Sequence, residues 1–181
     1  MDRMVGGVYL KQIGFLAVFF LLTSLFKGWF TASYIIFWVG GIIGSFLPVL
    51  DHLIYAYFLR PDEADSKQVV EAFKNKRFGS GISMLNQNGS EQKKLIFHSI
   101  LFQWLFIVFA LLIITSSLSL LGRGLVLGFL LHLFIDQVDE FTKTDKLDNW
   151  FHHFSFKLDR EKSAFYLLGM LLLLVVFGFF L

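Results

Sequence analysis

The sequence predicts an all-α protein, a polytopic membrane helical bundle with about five transmembrane helices. The first observation is composition: 56% of the 181 residues are hydrophobic, 24 are Phe, and the mean hydropathy is +0.66. A soluble domain of this length could not cover that much apolar surface. The second is that the apolar residues fall in five runs, each close to the length of about 20 residues with which a helix crosses the hydrocarbon. The third is that the charged residues lie mostly between these runs.

The five predicted spans, together with a hydrophilic loop, make up one membrane domain. The first run has a basic start and an apolar core, as a secretory signal does, but no small-x-small cleavage site follows the core. We therefore expect a retained span. Only 15 residues separate Lys11 from Lys27, so both lysines would have to extend towards the interface. The predicted spans are 8–27, 31–58, 95–117, 122–140 and 163–181, and the loop is 61–94.

Lys and Arg are divided unequally between the two sides of this arrangement. Five spans place the N-terminus, residues 60–94 and residues 141–162 on the same side. That side carries 14 basic residues, and the other side carries only Lys27 and Arg123. The positive-inside rule makes the basic side cytoplasmic, so the predicted topology is N-in and C-out. A net charge of +2 gives no indication of nucleic-acid binding, and the absence of Cys excludes disulfides and thiolate metal sites.

Five titratable side chains interrupt the second, third and fourth spans. At a rise of about 1.5 Å per residue, all of them fall within roughly 12 Å of the cytoplasmic end of their helix. A charged side chain costs about 2.5–3.5 kcal/mol near a helix centre and less at this depth, so their convergence at one depth indicates a functional site. The five residues are Asp51, His52, His98, His132 and Asp136.

Each of these residues also has a structural interpretation. His98 alone could bond a backbone carbonyl across a helix interface. Asp51 could cap a broken helix, and Asp136 could pair with a lysine of the 61–94 loop. The convergence of all five residues is what favours the functional interpretation.

Helical spacing aligns the polar residues with small ones. One stripe of the fourth span consists of Gly124, Gly128, His132, Asp136 and Glu140, and a comparable stripe of the second span consists of Gly40, Gly44, Pro48 and His52. Small residues let a neighbouring helix approach, so the polar residues face that helix instead of lipid. Pro48 predicts a kink just before Asp51 and His52, which could let both point inward.

These residue types favour a divalent metal, Zn, Mn or Fe. Neutral imidazoles and carboxylates are their ligands, and a cation removes the cost of burying Asp as an anion. Up to five ligands allow one metal ion or a pair. A bound metal lowers the pKa of its water and polarises an ester or phosphoryl oxygen, which is hydrolase chemistry.

Three motifs, LPVLDH (47–52), FHS (97–99) and GFLLHLFID (128–136), resemble those of a family of bacterial inner-membrane, predicted metal-dependent hydrolases, one branch of which is described as LexA-regulated. The resemblance covers spans two to four. It implies that Asp51–His52, His98 with Ser99, and His132 with Asp136 correspond to the family's predicted metal ligands. Two departures are visible: Val49 stands where the family has Asp, and Lys93–Lys94 stand where it has His-Arg.

Together these observations predict a metal-dependent hydrolase of the bacterial inner membrane, acting at the cytoplasmic face on a lipid-linked or phosphoester substrate. The predicted ligands are His52, His98, His132 and Asp136. Asp51 is expected to be a fifth ligand or the general base, and Ser99 a substrate contact. The alternative is a transport or sensing protein that uses the same residues for divalent cations or protons. No nucleic-acid partner is expected, and the sequence does not indicate an oligomeric state.

His152 and His153 match none of these motifs. They lie in the aromatic segment 150–156, which favours an interfacial segment on the inner leaflet, with a spare metal ligand as the alternative.

Overall fold

The computed structural model describes the backbone of residues 2–77, 80–81, 84 and 95–181, and the side chains from residue 11 onward within those ranges. These residues form helices and turns, with no β-strand among them, so the all-α prediction is confirmed. A 3-10 turn (Ala32–Tyr34) precedes α2, and a π-helical turn (Tyr55–Leu59) follows α3. The helices are α1 (Asp2–Lys27), α2 (Ile35–Phe46), α3 (Val49–Ile54), α4 (Ala64–Lys74), α5 (Ile100–Ser116), α6 (Leu120–Thr144) and α7 (Arg160–Phe180).

Three helical stretches are long and apolar enough to cross a membrane: Ala32–Leu59, α6 and α7. They match three of the predicted spans. α5 is apolar and 17 residues long. Large apolar side chains cover the outer faces of these helices, and Leu105 and Phe165, for example, are 70% and 74% exposed. Exposed apolar faces are expected of helices that contact lipid, because the lipid takes the place of a protein core on that side.

The second predicted span is broken where Pro48 predicted a break. α2 ends at Phe46, and Pro48 is the N-cap of α3. Proline has no backbone N–H, so it cannot continue the hydrogen-bond ladder of α2. After this break Asp51 and His52 are both buried, although they are adjacent in sequence.

α2 and α6 pack closely and run in the same direction. Gly40 faces the backbone of Leu121, and Gly44 faces that of Leu125, so residue numbers rise together along the two helices. A methyl group at either glycine would overlap these backbone atoms, and the glycines of the α6 stripe meet the α2 backbone in the same way. The predicted small-residue stripes therefore face each other, as in other close helix contacts in membranes.

The remaining long helices surround α6. α5 runs opposite to it, because Gly122 lies near Ile113 whereas Gln137 bonds Gln103. α7 begins where the Asp159 carboxylate accepts the backbone N–H of Lys162 at 2.9 Å, a hydrogen bond that lowers the pKa of Asp159. α1 packs against α2 and α6, and the core of the bundle is lined by fully buried side chains of α1, α2, α6 and α7: Phe20, Phe37, Leu127, Leu130, Leu133 and Leu174.

Candidate metal centre

Two imidazoles and one carboxylate meet beside the second half of α6. Oδ2 of Asp136 lies 3.1 Å from Nε2 of His98 and 3.0 Å from Nε2 of His132. One ligand atom from each residue lies within 4.8 Å of the other two. The side chain of Asp136 is 26% exposed, whereas those of His98 and His132 are 11% and 6% exposed. The three side chains are therefore mostly buried, and Asp136 is the most exposed of them.

Three local features bring these residues together. His132 and Asp136 are one turn apart on α6, so their side chains lie on one face of the helix. His98 precedes α5, and the backbone N–H of Ile100 donates to the carbonyl of Trp150 at 3.1 Å. The indole ring of Trp150 lies 5.5 Å from the His98 ring. Trp150 thus contacts both the start of α5 and the His98 ring.

Asp51 holds His98 in place. Its carboxylate accepts the backbone N–H groups of Ile96, Phe97 and His98 at 3.0, 2.6 and 3.2 Å. Its Oδ2 also lies 3.1 Å from Nδ1 of His98. A carboxylate can only accept, so Nδ1 of His98 donates to Asp51, and Nε2, which lies 3.1 Å from Asp136, is the ring nitrogen that could bind a metal ion. A carboxylate behind a histidine is the usual outer partner of a metal-binding imidazole.

This position differs from the one that the sequence predicts for Asp51. The residue lies on the far side of the His98 ring from Asp136, and four donors surround its two oxygens. The ligand or general-base role stays a prediction. The geometry favours the orienting role, which the sequence could not reveal because it depends on a contact across 47 residues.

His52 and Ser99 lie beside the three-residue group. The His52 ring is 8% exposed and lies 5.1 Å from the His98 ring, so it adjoins the group without belonging to it. The Ser99 hydroxyl donates to the carbonyl of Ile96 at 2.8 Å and accepts the backbone N–H of Phe102 at 3.4 Å, which caps α5. A ligand role for His52 and a substrate contact for Ser99 remain predictions.

One residue of the site comes from α1, where sequence reasoning did not look for it. The side-chain amide of Gln12 donates to Oδ1 of Asp136 at 3.1 Å. Gln12 is half-buried, and the residue before it, Lys11, is exposed. The available signal was one amide side chain in an otherwise apolar run, and such a residue does not reveal its partner.

A second buried polar cluster adjoins the site and was also missed. Gln103 and Gln137 exchange hydrogen bonds of 3.3 and 2.6 Å, and both side chains are fully buried. The Tyr166 hydroxyl donates to Oε1 of Gln103 at 2.6 Å. These three residues join α5, α6 and α7 immediately next to Asp136. Satisfied polar groups of this kind hold transmembrane helices in one register.

The other sequence features fall outside the three-residue group. Nδ1 of His152 lies 2.6 Å from the carbonyl of Asn149, and the rings of His152 and His153 are 3.9 Å apart. These contacts favour the structural interpretation of the segment. Val49, at the position where the resembling family has Asp, packs against Ala56 and Val69. Lys93 and Lys94 lie outside the described residues.

The donor set fits a divalent transition metal. Zinc binds imidazole nitrogen and carboxylate oxygen at about 2.0–2.2 Å, so neighbouring ligand atoms of a tetrahedral ion lie roughly 3–4 Å apart. The Asp136 oxygen lies 3.1 and 3.0 Å from the two imidazole nitrogens, at the lower end of that range. Two His and one carboxylate are also the ligand set of many catalytic sites, in which further positions remain open. His98, His132 and Asp136 could therefore hold a metal ion.

Comparisons of the chain with models of known protein families, with curated proteins and with solved structures find no match.

Proposed function

We propose that this protein is a membrane-bound, metal-dependent hydrolase whose site opens at the cytoplasmic face of a bacterial inner membrane. The observation that carries the proposal is the convergence of His98, His132 and Asp136, with the Asp51 carboxylate fixing the tautomer of His98. A divalent metal held there would lower the pKa of a bound water and polarise an ester or phosphoryl oxygen. The resemblance of three short motifs to a predicted hydrolase family favours the same chemistry.

The helix directions support a five-span topology. α2 and α6 run one way, and α5 runs the other. α7 runs opposite to α6 as well, since Tyr166, near its start, contacts Gln103 beside the end of α6 that bears Gln137. α1 runs with α7, because Gln12 reaches Asp136 whereas Gly178 lies near Thr23. This alternation, with 14 of the 16 basic residues on one predicted side, favours an N-in, C-out chain with the site at the cytoplasmic end.

The position of the site favours a substrate that reaches it along the membrane. Asp136 is the most exposed of the three residues, and it lies two turns before the end of α6. A phosphoester or a lipid-linked group in the inner leaflet could present its head group at that depth while its apolar part stays in lipid. Membrane lipid is therefore the expected partner.

The packing on the other side of the site disfavours the transport alternative. A pore needs polar groups and free space along the whole bundle. The glycine contacts between α2 and α6 leave no room for even a methyl group, and Leu127, Leu130 and Leu133 of α6 are fully buried. A bundle closed in this way suits chemistry at one face better than passage through the membrane.

The proposal is tested on the full-length protein purified in detergent. Metal analysis should find a stoichiometric divalent ion in the protein as purified or after titration with Zn, Mn or Fe. A panel of ester and phosphoester substrates should reveal turnover that a chelator removes and the same metal restores. A protein that neither carries nor gains metal would disprove the proposal and leave helix packing as the role of these residues. Cation or proton flux in proteoliposomes without any hydrolysis would favour transport.

A further inference from the structure

The two oxygens of Asp136 face different partners. Oδ2 faces the Nε2 atoms of both histidines, whereas Oδ1 accepts the amide N–H of Gln12 at 3.1 Å. The amide must present its NH2 group, because a carboxylate offers no proton in return. One carboxylate is thus divided between the candidate metal centre and the first helix of the chain.

We propose that Gln12 is a positioning residue that makes Asp136 offer a single oxygen to the metal and keeps one coordination position open for substrate. The inference rests on the proposed metal centre. Catalytic sites differ from structural ones by keeping a position for water or substrate beside about three protein ligands. A carboxylate that is free to turn can bind through both oxygens and occupy that position. A hydrogen bond to Oδ1 opposes this, because the metal would have to displace the amide.

α1 is suited to this role by its place in the bundle. Phe20 of α1 stacks on Phe37 of α2 with ring centroids 4.6 Å apart, and Trp38 donates to the Ser24 hydroxyl at 3.2 Å. These contacts anchor the second half of α1 against α2, and Gln12 lies about two turns before Phe20 on the same helix. Rigid outer partners of metal ligands typically change metal affinity or activity about 10- to 100-fold when they are removed.

The test uses cobalt as the probe, because its visible absorption reports coordination number. Full-length wild type is loaded with Co²⁺ and titrated with azide, a small anion that occupies an open position. Gln12→Met keeps the size of the side chain and removes the donor. Gln12→Lys keeps a donor of similar reach. Thr23→Val, on the same helix but beside Gly178, is the matched control for any general disturbance of α1.

The expected result is that wild type, Gln12→Lys and Thr23→Val bind cobalt and respond to azide. Gln12→Met should keep its cobalt but show a higher-coordinate spectrum and an apparent azide affinity at least about tenfold weaker. If Gln12→Met binds cobalt and responds to azide as wild type does, the role of Gln12 is disproved while the metal centre stands. Loss of cobalt from Gln12→Met in a protein that elutes normally also overturns it, because Gln12 would then be needed for metal binding itself. A wild type that takes up no cobalt removes both proposals.

Discussion

Oδ2 of Asp51 lies 3.1 Å from Nδ1 of His98, on the opposite side of the imidazole ring from Asp136. Asp51 lies in α3 and His98 in the turn before α5, and the same carboxylate also accepts three backbone N–H groups of that turn. One buried anion therefore fixes both the path of the backbone and the tautomer of a candidate ligand.

The Asp51→Asn variant tests this relationship. The amide keeps the shape of the side chain, but it places an NH2 group among four donors. We expect metal affinity to fall by about 10- to 100-fold, because His98 is no longer oriented. We also expect the unfolding free energy to fall by about 1–3 kcal/mol, because buried donors lose their acceptor. Metal titration and thermal unfolding in detergent measure the two effects.

The matched control is Asp145→Asn. Asp145 is an exposed residue with a left-handed backbone that Asn tolerates well, and it should leave metal affinity unchanged. Another outcome for Asp51→Asn would favour the predicted general-base role of Asp51. In that outcome the variant would keep its metal, while its turnover would fall by about 10²–10⁴-fold.

His132→Ala should abolish metal binding or weaken it at least about 10- to 100-fold. The reason is that its Nε2 lies 3.0 Å from Oδ2 of Asp136, within the group that could hold a metal ion. His153→Ala is the control, since His153 is exposed and its ring lies 3.9 Å from the His152 ring. Metal content per protein by mass spectrometry decides the matter. Equal losses in both variants would return the 152–153 pair to the ligand set.

Gly128→Ala should separate α2 from α6. A methyl group at Gly128 would overlap the backbone of Gly41, which cannot move aside as a side chain can. Forcing extra volume into a packed interface costs about 1–3 kcal/mol. Gly169→Ala meets nothing within 4 Å and should cause no loss. Thermal unfolding of the two variants in the same detergent compares them, and equal stabilities would mean that the helices are not in contact at Gly128.

The absence of native cysteine makes sidedness directly measurable. Ser80→Cys and Asn149→Cys should react with an impermeant thiol reagent only from the cytoplasmic side. Gly122→Cys should react only from the other side, and the added side chain meets Ile113 at an ordinary 3.5 Å. Spheroplasts and inverted vesicles provide the two exposures. Labelling of Ser80→Cys in spheroplasts would contradict the five-span topology and the cytoplasmic position of the site.

Features that depend on local periodicity could be predicted from the sequence. The four-residue spacing of Gly124, Gly128, His132 and Asp136 predicted one face of α6 and the close approach of a neighbouring helix there, which in the structure is α2. Pro48 predicted the helix break, because the missing N–H acts at that residue alone. The grouping of His98 with His132 and Asp136 was expected because all three lie at a similar depth in the membrane. That depth follows from the number of residues between each one and the end of its predicted span.

Features that depend on rotation and lateral order of the helices could not be predicted. Whether Asp51 faces Asp136 or the far side of His98 depends on the helix geometry after Pro48. The depth of a residue along its helix does not determine that direction. Gln12 and the Gln103–Gln137 pair were missed for a related reason. A single amide in an apolar run is compatible with several neighbours, and the sequence does not state which helix lies beside it.

The candidate site draws on side chains from Gln12 to Asp136, so its parts become available in order during synthesis. Chains fold from the N-terminus as they are made. A nascent chain that has delivered α1, α3 and α5 has Gln12, Asp51 and His98 in place, yet it lacks both groups that α6 contributes. For the metal centre proposed here, the ion would bind only after α6 has been inserted. Bound metal would then distinguish correctly assembled molecules from chains that stalled in the membrane.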